Sequence, residues 1–180
     1  MAKKPTIFIS YNSPVILTFA LLSAAALGLN LLTAGQTNGM FFSVYRAPLS
    51  DPLTYLRFFF HILGHSDFEH FYGNICFLLI VGPMTEEKYG SRNLLIAIAV
   101  TALVSGIIHF AFFPGTALLG ASGIVFMLIL LSSMANSSDG RIPMTLILVA
   151  AIYLGKEVLA GLFNGDNISQ LTHEIGRAHV

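Results

Sequence analysis

Charge is what this sequence has least of. Charged residues make up 10% of its 180 positions, where an ordinary soluble domain carries about 25%. That scarcity excludes a water-soluble enzyme with a charged coat. Nine basic and nine acidic residues cancel to a net charge of zero, so no basic surface exists to displace counterions from a nucleic acid. A single cysteine, Cys76, excludes an intrachain disulfide and a cysteine-rich metal site. No HExxH element is present, and no A-x-A pattern after the first apolar run marks a cleaved signal peptide. What the sequence has instead is apolar surface, with 55% hydrophobic residues and a mean hydropathy of +0.77. Low-complexity disorder is thereby excluded. The composition predicts an all-α polytopic membrane protein, one bundle of about half a dozen helices.

A membrane-crossing helix needs about 20 mostly apolar residues. Runs of that kind cover 14–34, 68–83, 93–113, 117–135 and 142–163, and a sixth opens at Ile168. Residues 1–13 form a polar tail with Lys3 and Lys4. Residues 35–67 are broken by Arg46, Pro48, Asp51, Pro52 and Arg57, which predicts an interfacial loop on the bilayer surface rather than a span. Turn and charge punctuation sets the other connectors at 84–92, 114–115, 136–141 and 164–167. With this layout Lys3, Lys4, Lys88, Arg92 and Arg141 share one side, and Arg46, Arg57 and Lys156 the other. The excess predicts a cytoplasmic N-terminus. A bundle without extra domains suits a bacterial cytoplasmic membrane.

The sixth run is short. Residues 168–180 rise only about 20 Å as a helix, against a hydrocarbon core of roughly 30 Å. Residues 174–180 read Glu-Ile-Gly-Arg-Ala-His-Val, and the last six letters match one reading frame of a common sequencing adapter. The expectation is an incomplete sixth helix, a native chain ending near His173, and a non-native tail over 174–180 in which Gly176 and His179 carry no function.

Runs two, four and six cross in the same direction, and their polar residues lie near their starting ends. The second offers His70 and Asn74, four apart and so on one helix face. The fourth carries Gly120-Ala121-Ser122-Gly123, and the sixth carries His173. These groups reach a common depth, roughly 5–10 Å below the outer boundary. Polar groups inside hydrocarbon are costly and mark function. Hydrolysis by a serine needs a base for the hydroxyl proton and donors for the oxyanion. Ser122 between glycines can present its N–H at a helix start, His173 has the right intrinsic basicity, and His70 and Asn74 can donate. No carboxylate accompanies His173, so the arrangement is a dyad rather than a triad. Singly, a glycine-flanked serine, a membrane histidine and a membrane asparagine each also read as helix–helix packing. Their convergence carries the inference.

The same residues resemble the rhomboid family of intramembrane serine proteases. The resemblance rests on His65-Ser66-Asp67-Phe68-Glu69-His70-Phe71-Tyr72-Gly73-Asn74, on Gly120-Ala121-Ser122-Gly123, on His173, and on Glu86 with Tyr89-Gly90-Ser91. It implies a six-transmembrane-helix bundle with a water-filled cavity open to the non-cytoplasmic side. It implies Ser122 as nucleophile, His173 as general base, and His70, Asn74 and the Ser122 N–H as the oxyanion site. It assigns structural roles to Arg57, His61, His65 and Glu86, to the flanking Gly120 and Gly123, and to Phe126. Phe126 stands where many members stack a tyrosine on the catalytic histidine. Expected substrates are single-span membrane proteins; no cofactor, metal or nucleic acid is implied.

Two other readings remain. A catalytically silent relative that binds membrane helices would usually lack the serine or the histidine, and both are present. A small transporter predicts polar residues along both halves of the spans and inverted repeats, and neither is visible. His61 and His65 have metal-ligand spacing if helical, but no third ligand stands at a matching interval. His109 reads as an interfacial or packing histidine. Lys156 and Glu157, adjacent and so about 100° apart on a helix, reach the outer interface by snorkelling.

Overall fold

The computed structural model describes residues 11–135, and beyond them 143, 144, 147, 148, 151, 152 and 155. Among the described residues the architecture is helical, with no strand and one isolated antiparallel bridge, Val44 with Leu118. The first helix, α1 (Pro14–Leu32), begins with a proline at its start, where a missing N–H costs nothing. Its Ser13 cap residue makes no side-chain bond to the helix. The carboxylate of Glu86 does that work, accepting from the N–H groups of Val15 and Ile16 at 3.0 Å each. An anion at this end also suits the helix dipole. The helix stops at a turn where Ala34 and Gly35 both take positive φ, 50° and 93°.

The segment after α1 contains more regular structure than the expected interfacial loop. It holds α2 (Gln36–Phe41), α3 (Pro52–Phe60) and a 3-10 turn at His61–Leu63. Asp51 and Pro52, which look like interruptions in the sequence, are the cap and first residue of α3; Asp51 Oδ1 accepts from Leu53 N at 3.0 Å. Helix α3 turns Arg57 and Phe58 inward and leaves Leu56, Phe59 and Phe60 exposed. It packs on the fifth helix, α5 (Ser91–Phe112), at Gly106, where an added Cβ would stand 3.1 Å from the Phe58 backbone.

Helix α4 (Phe68–Tyr89) corrects the expected end at Pro83. A proline inside a helix removes one hydrogen bond, yet the helix runs on for one and a half turns. Those turns are held by side chains: Thr85 Oγ1 donates to Val81 O at 2.9 Å, and Glu86 binds α1. A single glycine, Gly90 at φ 81°, then turns the chain into α5. The close seam between α1 and α4 needs Gly82, since a Cβ there would lie 2.6 Å from Ile16 Cδ1.

The last described helix, α6 (Ser122–Ala135), starts later than the expected Ala117. Residues before it are drawn out by the bridge: Val44 N donates to Leu118 O at 2.9 Å, and Leu118 N donates to Val44 O at 2.8 Å. Helices α1, α4, α5 and α6 share a core in which Ile16, Leu78, Leu94, Ala102, Ile124 and Leu128 are fully buried. Their outer faces expose Leu21, Leu32, Ile80, Ile96 and Val100. Two described helices, Pro14–Leu32 and Ser91–Phe112, are long and apolar enough to cross a membrane, and Ser122–Met134 is a shorter apolar helix. In the fifth expected span, residues 144, 147, 148, 151, 152 and 155 are helical. The sixth lies outside the described residues.

Candidate active site

Ser122 is the first residue of α6, so its N–H belongs to the turn whose donors have no acceptor within the helix. Two residues earlier, Gly120 takes φ 122° and donates its N–H to His61 O at 2.9 Å. The left-handed backbone already favours glycine. Space demands it as well: a Cβ at Gly120 would stand 2.7 Å from His70 Nε2, 2.8 Å from His70 Cε1 and 3.9 Å from Asn74 Nδ2. The imidazole edge and the carboxamide on α4 therefore lie against the chain that delivers the serine. The structure brings Gly120, two residues before Ser122, against His70 and Asn74 from two distant stretches.

His70 is fixed from several directions. Its backbone N–H donates to Asp67 Oδ1 at 2.8 Å, which caps α4. Its Nδ1 lies 3.2 Å from Ser66 Oγ. Its ring meets the His65 ring edge to face at 5.1 Å. Asn74 donates from Nδ2 to His70 O at 3.1 Å.

Behind this pair stands a buried layer of loop residues. His65 is fully buried; its Nδ1 donates to Leu63 O at 3.1 Å, and its carbonyl accepts from Asn38 Nδ2 at 2.8 Å. Burial first, then the nearby His70 charge, pushes its pKa down to about 4. Its Nε2 is buried without a hydrogen-bond partner among the described residues. His61 is also buried, with Nδ1 donating to Arg57 O at 3.2 Å and Nε2 lying 3.3 Å from Ser105 Oγ. Burial depresses its pKa to about 4 as well. Arg57 donates from Nε to Met40 O at 2.9 Å, pairs with Asp51 at 3.0 Å and lies over the Tyr45 ring at 4.7 Å. These contacts tie residues 36–65 to the layer that holds Gly120.

The Rhomboid domain family model matches residues 52–178. The chain belongs to the rhomboid family. Rhomboid proteins are polytopic and membrane-embedded, and are generally intramembrane serine proteases acting on transmembrane substrates. Comparison with curated proteins finds no match.

Other residues singled out in this rhomboid fall in different places. Glu86 lies at the far end of α4 from His70, bound to α1 and to Ser91 Oγ at 2.7 Å. Gly123 faces α5, where an added Cβ would meet only Thr101 Cγ2 at an ordinary 3.9 Å. Phe126 is half-buried on α6, one turn below Ser122. His109 lies 3.1 Å from Thr116 O through Nε2 and stacks on Phe113. His61 sits in the 3-10 turn and His65 beyond it, so the two do not share the helix face a metal pair would use. His173, Lys156, Glu157 and the tail 174–180 lie outside the described residues. The sequence reading passed over Asn38 and Ser105, and gave no role to Ser66 and Asp67 although both stand in the quoted motif. Asp67 before an apolar run has the signature of a helix cap; the others are visible only through tertiary contacts.

Proposed function

We propose that this rhomboid is an intramembrane serine endopeptidase that cleaves single-span membrane proteins through a Ser122–His173 dyad. The observation that carries the reading is the placement of the His70 ring and the Asn74 amide against Gly120, two residues before a serine at a helix start. In the reaction, His173 Nε2 takes the Ser122 Oγ proton as the oxygen attacks the scissile carbonyl. The resulting oxyanion faces the Ser122 N–H, Asn74 and His70. His173 then returns the proton to the leaving amine; it next takes a proton from water as that water attacks the acyl carbon, and gives it to Ser122 Oγ as the ester bond breaks. The resemblance supports His173 and the six-span bundle. The excess of basic residues on the N-terminal side supports a cytoplasmic N-terminus with the site open to the outer side.

The test is covalent labelling of the detergent-purified full chain with a fluorophosphonate probe, beside Ser122→Ala and His173→Ala. Labelling lost in both variants is the expected result. A folded wild type that takes no label would favour the silent, helix-binding relative.

A further inference from the structure

Ser66 and Asp67 sit at the turn into α4, outside the roles assigned so far beyond the cap. Their bonds decide which nitrogen of His70 carries a proton. Ser66 Oγ lies 2.6 Å from Asp67 Oδ2. An ionised carboxylate only accepts, so the hydroxyl gives its one proton there. Burial opposes the charge on Asp67, but the bonds from Ser66 and from the His70 N–H outweigh it and hold the carboxyl below its usual pKa. With its proton committed, Ser66 Oγ can only accept from His70 Nδ1, 3.2 Å away. His70 therefore carries its proton on Nδ1. A neutral imidazole has one N–H, so Nε2, the nitrogen against Gly120, is a lone pair in the neutral ring.

A lone pair repels an oxyanion. We propose that Ser66 and Asp67 are positioning residues that hold the Nδ1 proton of His70, so that His70 donates to the oxyanion only as an imidazolium. The second proton comes from solvent, binds at Nε2, and stays on the ring through acylation. This rests on the reading of His70 as an oxyanion donor. A charged donor also makes the stronger bond to an anion. The surroundings suit the cation. From the junction, Asp67 offers a carboxylate, and His65, its pKa pushed to about 4, stays neutral at ordinary pH. On α4 itself Glu69 precedes the ring and Asn74 follows it, and from the chain before α6 the facing residue is Gly120.

Ring 15N spectra of the labelled full chain in micelles test the proton directly, with the His70 signals identified by their loss in His70→Gln. The expected neutral form is Nδ1–H; a neutral ring protonated at Nε2 overturns the proposal. Asp67→Asn keeps a cap of equal quality and removes the charge. The His70 ring should then take its second proton at lower pH in those spectra, the nearby carboxylate charge being gone. Ser66→Ala should move the neutral proton to Nε2. Fluorophosphonate labelling of Ser122 should rise with pH as His173 loses its proton and then fall again through the His70 midpoint, the falling limb coming earlier in Asp67→Asn. Labelling that stays level through the His70 titration overturns the proposal and leaves the protease reading standing. No labelling at any pH overturns the protease reading and the oxyanion clause with it, and the ring spectra then judge the proton placement alone.

Discussion

The two ends of α4 hold polar groups in opposite ways. At the Glu86 end, a buried carboxylate is saturated by protein: two backbone N–H groups of α1 and the Ser91 hydroxyl take both oxygens. At the His70 end, roughly 24 Å away along the helix axis, imidazoles and amides are held by loops and by one another. One of them, His65 Nε2, is buried with no hydrogen-bond partner among the described residues. A saturated buried charge fastens helices together, while the cluster knitted from loops holds the groups to which the proposed function assigns the chemistry. The fold separates fastening from chemistry along a single helix.

Mutation can break that separation at either end. The largest effect on stability is expected from Glu86→Ala, which strands the Val15 and Ile16 N–H groups and the Ser91 hydroxyl. A loss of about 3 kcal/mol follows from three charge-assisted bonds, read as a lowered Tm in detergent, with labelling per folded molecule unchanged. A labelling loss as large as the stability loss would erase the contrast between the ends. Gly120→Ala should do the reverse: the added methyl enters the His70 ring position and labelling drops about a hundredfold, as displacement of an aligned group does. Asn74→Ala should slow labelling by about a hundredfold or somewhat less, with Tm little changed, the usual result of removing one oxyanion donor.

Acidity offers a subtler probe. His61 and His65 are held at pKa values of about 4 from an ordinary 6.5, so the unfolded chain binds more protons than the folded one between those values. Their contribution is fully present above about 6.5 and is lost as pH falls toward 4. Tm should decline through that window, and His65→Gln should flatten the decline; an unchanged slope would show that His65 takes no part. The smallest effect belongs to Gly123→Ala, whose methyl meets Thr101 at van der Waals distance. A Tm change of under about 0.5 kcal/mol equivalent is expected.

Elements closed by local chemistry were legible in the sequence. Helix α1 ends at Leu32, two residues before the expected Ala34, and α5 spans Ser91–Phe112 where 93–113 was expected. Both are apolar runs with polar ends, and nothing distant overrides them. Pro83 misled because its cost is local, while Glu86, which recruits the turns beyond it, acts on residues 15 and 16. The start of α6 was misplaced for the same kind of reason, since Leu118 is held extended by Val44. In the candidate site, the four-residue spacing of His70 and Asn74 was readable as one helix face. Their approach to Gly120 was not, because the loop 36–65 that sets it has no periodic pattern.

The Val44–Leu118 bridge has a mechanical consequence. Its two hydrogen bonds are a short rigid strut between a loop far upstream and the stretch that leads into α6. Gly120 is pinned two residues further on to the His61 carbonyl. With the stretch anchored at both points, the chain entering Ser122 is tied to Val44 through Leu118 and to His61 through Gly120. The placement of Ser122, the proposed nucleophile, thus depends on backbone bonds made by residues far upstream in the chain.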